Sequence, residues 1–146
     1  MKRTTPLLLA VVLSLNLAAQ GPNVDEAALL YSQGVRQLKG EDHANAINSF
    51  GELLALRPEH AKAWYYLGLC RQATGDLNGA VHDLERCIAL QPGDANAQLR
   101  LYDVYASQWR STEAIDGLMK LLMRYPEGAI AQHAMLNLAG GGARHR

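Results

Sequence analysis

The chain has 146 residues, a length for one domain, and carries 14 Lys plus Arg against 14 Asp plus Glu, so its net charge is zero. That balance removes any electrostatic drive toward nucleic acid or an anionic membrane, because binding a phosphate backbone needs an excess of cations. Hydrophobic residues make up 49% of the chain, ample for a packed core, while aromatics are only 6%.

In chain order, the first element is an export signal. Lys2 and Arg3 form a positive start, and Leu7 to Ala19 is an apolar run broken only by Ser14 and Asn16. Small residues Ala18 and Ala19 lead into Gln20-Gly21-Pro22. This order of parts describes a secretory signal peptide over residues 1–19, cleaved near Ala19. The run falls short of the ~20 apolar residues that span a bilayer, so membrane attachment is expected only if the signal stays uncleaved. Cleavage removes Lys2 and Arg3 and leaves 12 basic against 14 acidic residues. The expected location is outside the cytoplasm, periplasmic or secreted. Residues 20–26 form a short segment before the folded part.

From Ala27 onward the sequence matches itself when slid by 34 residues. Pro58, Pro92 and Pro126 recur at that spacing, as do Ala27, Ala61, Ala95 and Ala129, and Ala46, Ala80 and Ala114. Phe50, Leu84 and Leu118 lie four positions after the last set. Within each period, apolar residues return at three- and four-residue steps, the signature of amphipathic helices. In the second unit Trp64, Leu67, Gly68 and Arg71 mark one helix, and Ala80, Val81, Leu84, Cys87 and Ile88 mark the next. Thr74-Gly75-Asp76 supplies the turn between them, with glycine for a left-handed cap and aspartate for the second helix's start. Gly40-Glu41-Asp42 serves the first unit, and Ser111 is the expected cap in the third. Pro92 cannot continue a helix interior, and Asp94 caps the next helix, so each proline marks a corner between stacked units. The expected order is units over residues 27–60, 61–94 and 95–128, a closing helix over 129–139, and a frayed tail over 140–146.

A 34-residue unit with Trp-x2-Leu-Gly, then Ala-x3-Phe, then Pro resembles the tetratricopeptide repeat family. The second unit shows Trp64, Leu67, Gly68, Ala80, Leu84 and Pro92; the first keeps Gly34, Ala46, Phe50 and Pro58; the third keeps Leu101, Tyr105, Ala114, Leu118 and Pro126. Three residues depart from the pattern: Gln33, Arg71 in place of a tyrosine, and Tyr102 in place of a small residue, which is expected to widen the third helix pair. The resemblance implies an all-α superhelix of antiparallel helix pairs, with a concave face lined by set positions of each first helix. Those positions are Tyr31, Val35, Leu38 and Lys39; Lys62, Tyr65, Leu69 and Gln72; and Asn96, Leu99 and Asp103. The implied partner is a protein or peptide, bound without catalysis. The family's carboxylate-gripping groove uses Lys and Asn, whereas Tyr31, Val35, Tyr66 and Asn96 stand there, with only Arg100 fitting. Arg124 to Glu127 looks like unit ends in periplasmic envelope-assembly repeat proteins. This leaves a self-associating or envelope-assembly role, or an accessory subunit of an enzyme, as alternatives.

Chemistry finds little support in the sequence. The five histidines, His43, His60, His82, His133 and His145, are scattered, and neither Cys-x2-Cys nor His-Glu-x2-His occurs, so no metal or cofactor is expected. No Gly-x-Ser-x-Gly elbow is present. His82 beside Asp83 reads as a solvated helix face. Cys70 and Cys87 sit on two helices of one hairpin with an axial offset of ~7 Å, too far for a disulfide, so both are expected as buried free thiols. Trp109 falls in the third turn, either covering the neighbouring hairpin or standing out as a contact anchor.

Overall fold

A computed structural model describes residues 24–141. The signal-peptide reading of residues 1–19 and the last five residues of the expected tail lie outside the described residues. Among the described residues there are seven α-helices and no strand. They are α1 (Val24–Lys39), α2 (His43–Leu56), α3 (Ala61–Thr74), α4 (Leu77–Leu90), α5 (Ala95–Ser107), α6 (Ser111–Arg124) and α7 (Ala129–Gly141). The first helix begins three residues before the expected unit boundary, and the closing helix runs on to Gly141.

The corners repeat in detail. Helices α2, α4 and α6 end at Leu56, Leu90 and Arg124. The residues after them, Arg57, Gln91 and Tyr125, share nearly one backbone conformation, with φ of −136°, −135° and −129°. Proline comes next in each case, where its missing N–H is harmless. Trp64 Nε1 donates to the Pro58 carbonyl and Gln98 Nε2 to the Pro92 carbonyl, both at 2.7 Å. Position 98 is position 64 moved by one unit, so unlike side chains close the corner in the same way.

Caps explain the helix starts. Asp42 accepts from the Asn45 N–H, Asp76 from Gly79 and Asp94 from both Asn96 and Ala97, satisfying donors with no intrahelical partner. The third unit departs from expectation: α6 starts at Ser111 itself, Arg110 holds the cap position, and no side chain caps the helix. Arg110 instead pairs with Glu113 and lies over the Tyr105 ring, 3.9 Å from its centroid. That anchors the chain from outside and leaves Ser111 inside the helix.

Each hairpin closes on a glycine contact. A Cβ on Gly34 would sit 2.7 Å from the Phe50 ring, and one on Gly68 would sit 2.9 Å from Leu84 Cγ. In the third unit the small residue changes sides. Tyr102 occupies the glycine position, and its ring lies over Gly117, where an added Cβ would come within 2.2 Å.

A second within-hairpin contact varies from unit to unit. Ser49 Oγ donates to Gln37 Oε1 at 2.7 Å, and Arg71 Nη1 donates to both Asp83 oxygens at 2.9 Å. Tyr105 and Gly117 hold these positions in the third unit. Asp83 is therefore fully buried and not on a solvated face; only its neighbour His82 is exposed, with Nδ1 3.1 Å from the carboxylate. Burial pushes the Asp83 carboxyl above its ordinary range, against the pull of His82 and Arg71. Cys70 and Cys87 are free and fully buried, and burial pushes both thiols up to about 11.

Candidate functional site: the concave face

The direction of curvature is set by which helices touch. The first helices of successive hairpins meet one another: α1 meets α3, α3 meets α5, and α5 meets α7. The second helices α2, α4 and α6 do not touch each other. The stack is therefore tighter along α1, α3, α5 and α7, which form the inside of the curve.

That inner wall has two distinct halves. Toward the N-terminal end it is aromatic: Tyr31 lies 5.1 Å from His60, 6.4 Å from Phe50 and 6.2 Å from Tyr66 between ring centres, and Tyr65 meets Tyr66 at 5.5 Å. Burial and the adjacent Tyr66 raise the Tyr31 phenol above its usual range. Tyr31, Val35 and Leu38 are half-buried against the core of Ala46, Phe50 and Ala63. Tyr65, Leu69 and Gln72 are half-buried, while Lys39, Lys62 and Asn96 are exposed. Among the described residues no carboxylate pairs with Lys39 or Lys62.

Two of the expected groove positions are tied to the closing helix. Leu99 is only 4% exposed and sits in a core cluster with Leu118, Leu121 and Ala134. The closing helix expected over 129–139 contributes Ala134 to that cluster. Asp103 is committed to contacts with its surroundings: Asn137 Nδ2 donates to its Oδ1, while His133 Nε2 and Arg100 Nη1 lie 3.3 and 3.5 Å from its Oδ2. Burial pushes the Asp103 carboxyl up, with His133 and Arg100 pulling it back.

The sequence reading missed His133 and Asn137. They stand 34 residues after Leu99 and Asp103, so extending the period into α7 places both on the inner wall. It also missed a cavity. At the C-terminal end of the groove, α5, α6 and α7 flank a half-open cavity of about 690 Å³, a volume typical of ligand sites. Gln72, Asp103 and Asn137 connect it to the groove, Leu118, Ile115 and Leu136 form apolar walls, and Trp109 stands at its edge. Trp109 is 74% exposed and covers no neighbouring hairpin. Among the described residues no group of three or more His, Cys, Asp or Glu is placed to hold a metal, and no helix is long and apolar enough to cross a membrane.

Comparison with known proteins agrees with this architecture. Residues 35–101 match the family model described as Tetratricopeptide repeat. The "Tetratricopeptide repeat protein 36" of Mus musculus is 34% identical over 74 residues, 51% of this chain and 40% of that protein; the match thus spans about two-fifths of the relative's length. The Yersinia enterocolitica type III secretion chaperone SycD, solved in complex with a peptide of the translocator YopD, superposes with a TM-score of 0.75 at 18% identity, covering 85% of this chain and 98% of that one. The TPR2B domain of yeast Sti1 in its pHsp70 complex gives 0.74 at 15% identity, covering 82% and 98%. The fold is the all-α superhelical solenoid of tetratricopeptide repeat domains.

Proposed function

We propose that this chain is a non-catalytic interaction module that works outside the cytoplasm and binds an extended segment of a partner protein along its concave face. The observation that carries the reading is the inner wall itself. It offers half-buried tyrosines and aliphatics flanked by the exposed cations Lys39 and Lys62, a mixture suited to burying apolar side chains while meeting an acidic group. A solved structure of the same fold holds a peptide of a translocator, which supports a peptide-sized occupant. Export rests on the order of charged, apolar and small residues before Gln20.

The test is site-specific photo-crosslinking in the native compartment. With p-benzoylphenylalanine at position 65 on the inner wall, one or a few defined proteins are captured. With the same group at position 52 on α2, they are not. Capture from position 52 alone contradicts the reading.

A second reading, pairing of two copies, is favoured by the exposed methionines Met119 and Met123 on α6 and Met135 on α7. Light scattering separates the two: a dimer that persists on dilution supports pairing, and a monomer supports the groove.

A further inference from the structure

Trp109 stands out by its exposure at a turn position that recurs in every unit. Its backbone sits at φ 63°, in the left-handed region. The equivalent turn positions are Glu41 in the first unit, at φ 58°, and Gly75 in the second, at φ 86°, so the left-handed backbone belongs to the repeated turn. A bulky residue held in that conformation is strained. Packing returns nothing for the strain, since the side chain is 74% exposed. An exposed indole at the edge of a cavity is the composition of a contact anchor, because tryptophan dominates binding energy where it is desolvated by a partner.

The cavity beside it has a definite chemistry. Its walls are apolar through Leu118, Ile115 and Leu136, while Gln72 and Asn137 stand where it opens to the groove. The Gln72 amide makes no hydrogen bond to another described residue, and Asn137 uses only its N–H, on Asp103. Those amide atoms match the alternating donors and acceptors of an extended main chain. The one charged wall residue, Asp103, already faces Arg100, His133 and Asn137, so the cavity selects an uncharged side chain.

Along the same edge of the groove the charge changes. Lys39 ends α1, Gln72 lies near the end of α3, and the cavity lies near the ends of α5 and α7. Arg36 and Lys39 form the basic last turn of α1, and nearby Asp42 is occupied in capping α2. Packed helices stand ~8–10 Å apart. Two steps from α5 to α1 therefore span ~16–20 Å, the reach of about five or six extended residues.

We propose that the cavity at Trp109 is the anchor pocket of the groove, taking one large apolar side chain of an extended peptide whose acidic residue, five or six positions away, meets Lys39. This rests on the concave-face reading of function and adds the sequence class of the peptide. The occupant is a partner segment, because the cavity is continuous with the inner wall through Gln72, Asp103 and Asn137.

The probe is a library of random twelve-residue peptides, panned against the full chain. The expected outcome is enrichment of peptides with Phe, Trp, Leu or Met five or six positions from Asp or Glu. Their affinity should fall at least tenfold in Trp109→Ala and in Lys39→Glu. Trp109→Gly suits the left-handed backbone and keeps the fold, so an equal loss there excludes misfolding as the cause. In a Trp64→Phe background, Trp109 fluorescence should shift to the blue on binding.

Peptides that crosslink to position 65 yet bind Trp109→Ala unchanged overturn the anchor pocket and leave the groove reading standing. Enriched peptides that never crosslink there, or no enrichment at all, overturn both. Binding that appears only after residues 142–146 are deleted assigns the cavity to the chain's own end and overturns the proposal. So does a dimer that dissociates in Trp109→Ala.

Discussion

Replacing Arg71 with Gln tests the packing of the second hairpin at its most sensitive point. Asp83 is fully buried and accepts two hydrogen bonds from Arg71, both at 2.9 Å, with only His82 as a further partner. Removing the cation strands a buried carboxylate, which costs ~3–5 kcal/mol. Arg71 is itself 30% exposed, so water reaches the site and the expected loss is near the lower figure, about 3 kcal/mol. Asp83→Ser is milder, about 1–2 kcal/mol, because Arg71 keeps solvent and Asp76, 3.6 Å away. The double change Arg71→Gln with Asp83→Ser installs the pair found in the first unit, Gln37 with Ser49. It should recover to within about 1 kcal/mol of the parent, since a neutral hydrogen-bonded pair replaces an ionic one. Urea unfolding monitored by circular dichroism gives the four free energies of the cycle.

The pH dependence of the single mutant has a definite sign. Without Arg71, burial holds the Asp83 carboxyl above its unfolded value of about 3.9. A raised carboxylate destabilises the fold above its folded pKa, and the penalty fades as pH falls through that pKa. The deficit of Arg71→Gln should thus shrink from pH 7 toward pH 4. Strictly additive losses in the double mutant, or a deficit that grows on acidification, would refute the reasoning.

Gly68→Leu forces atoms into Leu84, whose Cγ lies 2.9 Å from a built Cβ, and should cost ~1–3 kcal/mol by overpacking; an unchanged melting temperature would contradict the pairing of α3 with α4. Asp94→Ala removes a cap that accepts two N–H groups and should cost about 1 kcal/mol. Ser111→Ala, with no cap bond to lose, should stay within about 0.5 kcal/mol; thermal melts of the two mutants compare them directly. Both thiols are fully buried with pKa pushed up to about 11, so a disulfide-exchange reagent at pH 8 should modify neither in the native protein and both in denaturant. Rapid native labelling would mean that the core of the second hairpin opens readily.

The architecture was legible because it is written three times. Pro58, Pro92 and Pro126 announced the corners, and the helices before them end within two residues of each proline. Asp42, Asp76 and Asp94 cap as their sequence positions implied. Most of what stayed hidden depended on pairing across helices. Asp83 beside His82 looked solvated, although its equivalents at the 34-residue period, Ser49 and Gly117, are small residues at a buried position. Arg110, not Ser111, holds the cap position of α6 and pairs with Glu113, where residue preference favours serine. Leu99 and Asp103 carried the spacing of groove residues, but α7 packs over the first and bonds to the second. The cavity at Trp109 exists only once α5, α6 and α7 are together.

The most direct measurement of the central claim is a titration of the isotopically labelled chain with one library-selected peptide, read from backbone amide shifts. Changes should concentrate on α1, α3, α5 and α7, running from Lys39 through Gln72 to Asn137, and leave α2 and α4 nearly silent. Shifts centred on the outer faces of α2 and α4, with the inner wall unmoved, would contradict the account.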